Sequence, residues 1–532
     1  MSVKQMQSIN SATVAWYEGE PLADYWPDTL ADWWQDAAHR LGEHPILIDN
    51  GMTWSWHSLL ERAAAWAATW KQVRPGDRVI IIAANGVGHL LAELATWMRG
   101  AIVVPLSIHT DLLSLESLQQ SLQPSLIIAD QSIALVGACS IEAWQPCETV
   151  TDFVPSPRVG DDPALILYTS GSSGLAKGVI LSHRNICSQQ AAFAQLWPEV
   201  GCKDSCVSYL PWHHSFGALA ERLWALGRGC CLHVVPHGGH DAELLLQMLR
   251  EIQPSIFMSV PKLHHLVATS DVLQATHIRW VFTAGAALGA MASEAYKRAG
   301  ITVIEGWGLT EASPSVTITR FNDPRCENVV GRPIPGVSLG IANTGEILVA
   351  GPGVMLGYWD NVQATQDALC MINEKRVLRS GDCGRWSESG LHLEGRLDQE
   401  CKHPNGEKVP LRKLEQELEK RLIMCCPILH LQIAVDQAAQ GLVLLLLVDR
   451  VDIDNAHYAA IEHCIGEYNS CCAQPWWRLS SFAQYLFDPS SENSLFTASQ
   501  KVARKAFAKQ WLANPQAWHY KSITAAKNTV VN

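Results

Sequence analysis

Leu165 to Gly178 reads LILYTSGSSGLAKG, an apolar run that gives way to hydroxyls and glycines and closes on a lysine. Leu165, Ile166 and Leu167 predict a short buried strand. Thr169, Ser170, Gly171, Ser172, Ser173 and Gly174 then turn the chain with backbone amides and hydroxyls free to face an anion, and Lys177 supplies a positive charge. The nearest generic pattern, the Walker A loop G-x-x-x-x-G-K-[ST], places lysine directly after the second glycine. Here Leu175 and Ala176 separate Gly174 from Lys177, and Gly178 stands where Ser or Thr is required. An ordinary P-loop nucleotidase is therefore disfavoured. Taken alone, the stretch also fits a Ser/Gly surface linker, and the rest of the chain has to decide between the two.

At 532 residues the chain has room for about two to four domains. A hydrophobic content of 48% fits a globular enzyme, and a net charge of −12 argues against nucleic-acid binding and against a polybasic membrane anchor. Peripheral contact with lipid stays open. The first residues, MSVKQMQSINSATVAWYEGE, contain no apolar segment of a secretory signal. The longest aliphatic run, GLVLLLLV from Gly441 to Val448, has the length of a strand and falls short of the roughly 20 residues of a transmembrane helix. Sixteen cysteines without a signal are expected as reduced thiols in a cytoplasmic protein. His237-Gly-Gly-His240 has two zinc-type ligands but no partner cluster, which favours a loop over a metal site.

Helical spacing from Thr53 to Trp70 brings Leu59, Ala63, Trp66 and Trp70 to one face. A turn at Arg74 to Asp77 leads into a strand at Arg78 to Ile82, a helix at His89 to Arg99 and a strand at Ala101 to Leu106. Strand, helix, strand at this spacing predicts a parallel sheet with helices on its faces. Ser125 to Asp130 reads as another buried strand, and helical text resumes after the opening loop. It stops at SYLPWHHSFG, Ser208 to Gly217, where His213 and His214 suit a metal site, a substrate gate or, as the favoured reading, a packed aromatic turn. Trp280 to Ala287 (WVFTAGAA) and Ile301 to Glu311 (ITVIEGWGLTE) each run from a strand into a small-residue loop. Ligands in open α/β sheets sit beyond the carboxyl ends of strands, so these loops and the opening loop are expected to share one cleft. Gly345 to Tyr358 and Ser380-Gly381-Asp382 predict a small β unit, and Leu411 to Ile423 a charged amphipathic helix. The fold class expected is α/β: a large N-terminal domain, residues 1–397, of parallel-type sheets with flanking helices plus the small β unit, and a small α+β C-terminal domain, residues 398–532.

Together these stretches resemble the adenylate-forming, or AMP-binding, superfamily of acyl-CoA synthetases, peptide-synthetase adenylation domains and luciferases, over about residues 30–510. YTSGSSGLAKGV, Tyr168 to Val179, resembles the family's phosphate loop, with Ser173 where Thr is usual and Ala176 where Pro is usual. GWGLTE, Gly306 to Glu311, resembles the motif that holds adenine and magnesium, with Trp307 where Tyr is common. SGD at Ser380 to Asp382 and GRLD at Gly395 to Asp398 resemble the ribose-binding aspartate, the ribose-contacting arginine Arg396 and the hinge. Gly406 in NGEKV is similar to the glycine of a loop that turns inward after domain rotation, and SLFTASQKVAR resembles the stretch that carries a mobile catalytic lysine, here Lys501.

The resemblance implies a substrate carboxylate that attacks the α-phosphorus of ATP, with catalysis supplied by positioning and charge neutralisation. Glu311 is the implied Mg²⁺ ligand, Lys501 bridges acid and α-phosphate, and Thr169, Ser170 and Thr310 donate to phosphate oxygens. Gly285, Ala286 and Trp307 fall at the nucleotide site, His214 at the acid, and Asp382 accepts from the ribose hydroxyls. After pyrophosphate leaves, the mobile C-terminal domain turns about Asp398, withdrawing Lys501 and bringing the Gly406 loop to a channel for a pantetheine thiol. The thiol belongs to coenzyme A or to the phosphopantetheine arm of a carrier protein. His213 and His214 stand where amino-acid-activating relatives carry an aspartate, implying an acid without an α-amino group. SYLPWHHSFGALAERL and Asn405 to Glu407 resemble the fatty acyl branch, and Ala284 to Ala287 leave room for a chain. The implied activity is an ATP-dependent acyl-CoA synthetase for a medium or long fatty acid. A fatty acyl-AMP ligase that loads an acyl carrier protein, a ligase for aryl or other carboxylic acids, and a non-catalytic ligand-binding homologue are the alternatives.

Overall fold

The computed structural model describes residues 14–24, 26–130, 133, 137–141, 153–170, 176–236, 241–323, 325–326, 328–397, 400–402, 408–422, 428–436, 441–448, 455–472, 478–486, 511 and 519–522. Short aliphatic runs set its sheets. Arg78–Ile82 lies between Ile102–Leu106 and Leu126–Ala129, parallel to both, with Val79 opposite Val103 on one side and Leu126 on the other. These strands are buried almost throughout, as expected of a parallel sheet covered on both faces. Among the described residues the sheet has seven strands, extended on one side by Pro163–Ser170, Ala176–Ser182 and Gly357–Tyr358. The helices Trp56–Thr69 and Val87–Met98 pack against each other, and Leu59, Ala63 and Trp66 are buried.

Three sequence expectations need correction. The helix expected from Thr53 begins at Trp56, because Met52–Trp54 pairs with Leu47–Asp49 and Ser55 caps the first turn, its hydroxyl accepting from Ser58 N–H at 3.2 Å. Helical text does not resume directly after the opening loop: Ala176–Ser182 is a strand, and Ser182 caps the helix His183–Leu196. Gly357–Tyr358 does not belong to the small β unit but pairs antiparallel with that strand, Gly357 opposite Ile180 and Tyr358 opposite Val179. In the first case an adjacent hairpin strand, and in the other two a partner distant in sequence, outweighs the local pattern.

Among the described residues a second sheet, of nine strands, has a parallel centre in which Ile256–Ser259, Trp280–Ala284 and Thr302–Gly308 lie side by side. Ala284 sits opposite Gly306, so the two small-residue loops leave the sheet from the same edge. A third sheet, of six strands among the described residues, runs from Ala15–Glu18 through Ser338–Ile341, Glu346–Ala350 and Lys375–Ser387 to Leu369–Ile372, with Gly390–Arg396 paired to Lys375–Ser387.

The chain falls into two compact units, one of Met1–Thr169, Ala176–Ser380 and Gly384–Leu393, the other of Ser170–Leu175, Gly381–Cys383 and Glu394–Asn532. In the second, Leu411, Leu414, Leu418 and Leu422 form the apolar stripe of the helix Leu411–Leu422. It packs on the strand Ile428–Asp436, which opens a sheet continued by Gly441–Val448, Leu479–Leu486 and His519–Ser522 in that order. Among the described residues, no helix is long and apolar enough to cross a membrane.

Candidate active site

Pro163–Ser170 carries the apolar start of the opening stretch and ends with Thr169 and Ser170 still in strand conformation. Gly171, Ser172, Ser173 and Gly174 lie outside the described residues. The chain returns along Ala176–Ser182, the strand that carries Lys177. Gly178, which replaces the Ser or Thr of a Walker A loop, has a steric reason. A Cβ there would lie 3.0 Å from Ile166 Cγ2, 3.1 Å from Tyr168 Cζ and 3.2 Å from Trp359 Cβ, tighter than ordinary van der Waals contact. A Ser or Thr at this position would therefore clash, which sets the stretch apart from Walker A.

The Lys177 ammonium lies over the ring of Tyr358, 5.0 Å from its centroid. The Tyr358 hydroxyl donates to Glu311 Oε1 at 2.7 Å. Glu311 sits in the short 3₁₀ turn Thr310–Ala312 that follows Thr302–Gly308, and its carbonyl accepts from Met355 N–H at 2.8 Å. Gly308 lets that turn close, since a Cβ would fall 1.9 Å from Pro314 O. Thr310 and Ser215 share a hydrogen bond between their hydroxyls at 2.9 Å. A cation, an aromatic ring, a carboxylate and two hydroxyls thus stand in series, half-buried.

Glu311 and Thr310 offer hard oxygen donors, the set that suits Mg²⁺, which usually takes one or two protein carboxylates and completes its shell with phosphates and water. Among the described residues there is no group of three His, Cys, Asp or Glu side chains able to hold a metal by themselves. His237 and His240 lie outside the described residues.

Ser215 ends the turn that carries the two histidines. The rings of His213 and His214 are 4.3 Å apart by centroid, and Phe216 meets Phe282 edge to face at 5.4 Å. Trp212 is fully buried and donates through Nε1 to Ser208 Oγ at 3.0 Å, with the edge of His89 against it and the Arg222 guanidinium 4.6 Å over its ring. Arg222 in turn binds Glu93, which also meets His89 Nε2 at 3.1 Å. Burial alone would push the Glu93 carboxyl up, but Arg222 and His89 outweigh it and hold the pKa below its usual value. Burial pushes the Glu221 carboxyl well up, and the Ser208 hydroxyl and the Arg222 charge offset only part of that. The packed aromatic turn therefore rests on a buried charge network.

Gly285, Ala286 and Ala287 are exposed at the edge of their sheet, and Trp307 is 7% exposed, its ring packed in the main core. In the second unit Arg396 Nε lies 3.5 Å from Asp382 Oδ1. Asp398, Gly406 and Lys501 lie outside the described residues. Sequence reasoning missed Tyr358, Ser215 and the pair Glu93 and Arg222. The charged Glu221-Arg222 within an otherwise apolar helical stretch was the available signal for the last, whereas Tyr358 and Ser215 gave none.

The chain matches the family model described as AMP-binding enzyme over residues 34–359. It is 26% identical over 410 residues to a feruloyl-CoA synthase from Amycolatopsis sp, across 71% of this chain and 81% of that relative. It is also 26% identical over 472 residues to the long-chain-fatty-acid–CoA ligase FadD15 of Mycobacterium bovis, across 73% and 76%. ATP-bound MatB from Rhodopseudomonas palustris has a similar fold, with a TM-score of 0.77 at 22% identity over 90% of this chain and 98% of MatB. With more than half of its length matched by the family model and its cation, carboxylate and hydroxyls gathered at the loops described above, the chain belongs to the AMP-binding enzyme family.

Proposed function

We propose that this protein is an ATP-dependent acyl-CoA synthetase that activates a medium or long fatty acid as its acyl-adenylate and passes the acyl group to the thiol of coenzyme A. The observation that carries this reading is the series Lys177, Tyr358, Glu311 and Thr310, at the ends of strands from two sheets. Lys177 meets the outer phosphates of ATP, and the hydroxyls of Thr169 and Thr310 donate to phosphate oxygens. Glu311 is the proposed Mg²⁺ ligand, and the metal, when bound, neutralises phosphate charge. Asp382 accepts from the ribose hydroxyls once Arg396 shares it with the nucleotide. Gly285 and Ala286 form the open wall beside the base.

For the acid, the exposed Gly285, Ala286 and Ala287 support a wide entrance, and His213 and His214 in place of an aspartate support a substrate without an ammonium group. His214 is proposed to face the reacting carboxylate. Residues 398–532 are proposed as a mobile C-terminal domain, with Asp398 as hinge, Lys501 serving adenylation and the Gly406 loop serving thiol transfer. The name of the feruloyl-CoA synthase relative keeps an aryl acid as the second reading.

Acid-dependent exchange of labelled pyrophosphate into ATP, run with dodecanoate, ferulate, malonate, acetate and phenylalanine, tests this. The expected result is exchange with dodecanoate, none with phenylalanine, and a dodecanoyl thioester on adding coenzyme A. Exchange with ferulate alone would replace the fatty acid by an aryl acid. Exchange followed by transfer only to a phosphopantetheinylated carrier protein would replace coenzyme A.

A further inference from the structure

We infer that Tyr358 is a positioning residue that couples the metal-binding carboxylate to the phosphate-loop lysine, an inference that rests on the nucleotide site proposed above. Its backbone is fixed independently of its ring. Leu356 N–H donates to Ile180 O at 2.8 Å and Trp359 N–H to Gly178 O at 2.7 Å, while Tyr358 N–H donates to Thr365 Oγ1 at 2.9 Å. The pairing of Tyr358 with Val179 sets it two residues along the strand from Lys177. The same segment grips Glu311 twice, through Met355 N–H on the carbonyl and through the phenol on the side chain.

Each half of the ring has its own partner. The face receives the Lys177 ammonium, and the hydroxyl donates to Glu311 Oε1, leaving Oε2 as the remaining acceptor of that carboxylate. Donation to a carboxylate enriches the phenol in electron density, which strengthens its face as a partner for a cation. A carboxylate held at one oxygen loses less rotamer freedom when a metal takes the other, and outer hydrogen-bond partners of metal ligands commonly govern affinity by about 10- to 100-fold. Tyr358 thereby holds the lysine and the carboxylate apart. Without it, the two would pair directly and compete with phosphate and metal.

The test is calorimetric ATP binding to the full chain, without acid substrate, across a Mg²⁺ titration and again in a metal chelator. Tyr358→Phe keeps the ring face and removes the donor. It is expected to raise the Mg²⁺ concentration for half-maximal enhancement of ATP affinity about tenfold, with ATP affinity in chelator and the melting temperature unchanged. Tyr358→Leu removes both halves and is expected to weaken binding in chelator as well. An unaltered Mg²⁺ dependence in Tyr358→Phe overturns the inference, as does an equal loss in both conditions, which marks a structural role. Glu311→Gln separates the two levels. If it abolishes the Mg²⁺ dependence while Tyr358→Phe does not, only the role of Tyr358 falls. If neither variant changes it, the proposed metal site falls too. Should Tyr358→Phe melt early, electron paramagnetic resonance of Mn²⁺ bound to the wild type with ATP decides through a coupling to ring-deuterated tyrosine: its presence supports the inference, and its absence overturns it.

Discussion

His264 shows how one buried side chain ties pH to the cleft. Its Nε2 faces Phe282 O at 3.1 Å and its Nδ1 faces the Tyr296 hydroxyl at 3.0 Å. A carbonyl only accepts, so Nε2 carries the proton and Nδ1 accepts from Tyr296, a neutral imidazole behind the strand that leads to Gly285. Burial lowers the pKa of His264 to about 4, and burial with the nearby Arg158 does the same for His183, whose Nδ1 accepts from Leu30 N–H. The folded pKa of each is depressed, so the unfolded chain takes up these protons first as pH falls. Their contribution to stability is complete above about pH 6.5 and is lost between there and pH 4, by about 3 kcal/mol per histidine. Urea unfolding at stepped pH checks this, and His264→Gln should make the slope in that window shallower. A slope identical to wild type would assign the acid sensitivity elsewhere.

At the scale of elements, the helix His183–Leu196 links the strand bearing Lys177 to the segment that grips Glu311. Asn185 completes a capping box with Ser182, and its Nδ2 also donates to Pro352 O at 2.6 Å and Val354 O at 3.0 Å. Ser182→Ala should cost about 1 kcal/mol, the usual worth of a cap. Asn185→Ala leaves two carbonyls unpaired besides, and should cost about 2–3 kcal/mol. Denaturant midpoints compare the two, and an Asn185 variant no weaker than the Ser182 variant would show that this link carries no energy. The main strands were legible because Arg78-Val-Ile-Ile-Ile and Trp280-Val-Phe-Thr-Ala read as buried runs whatever surrounds them. Ala176–Ser182 was not, since AKGVILS mixes lysine and glycine with aliphatics and takes its strand state from two neighbours, Pro163–Ser170 on one side and Gly357–Tyr358, far later in the chain, on the other. The contact of Tyr358 with Glu311 was invisible for the same reason: no local periodicity encodes a side-chain pairing between distant turns. Lys177 stood out because it closes a run of hydroxyls and glycines, and Thr310 and Glu311 because GWGLTE resembles a family motif, signals that need no tertiary partner.

For the molecule as a whole, the proposed chemistry consists of two half-reactions. The large unit holds Lys177, Tyr358, Glu311 and the exposed small-residue loop, while Asp382 and Arg396 belong with the smaller one. Neither step needs a protein nucleophile, which leaves the sixteen cysteines without a catalytic duty. The central claim is that the substrate's own carboxylate attacks the α-phosphorus and that the thiol then attacks the resulting acyl carbon. Dodecanoate labelled with ¹⁸O in its carboxyl group, turned over with ATP, Mg²⁺ and coenzyme A, follows the oxygen through both steps. Mass spectrometry of the nucleotide product should find one labelled oxygen in AMP for each thioester formed, because the former carboxylate oxygen stays on phosphorus when the thiol displaces it. Unlabelled AMP, or ADP in its place, would contradict the claim.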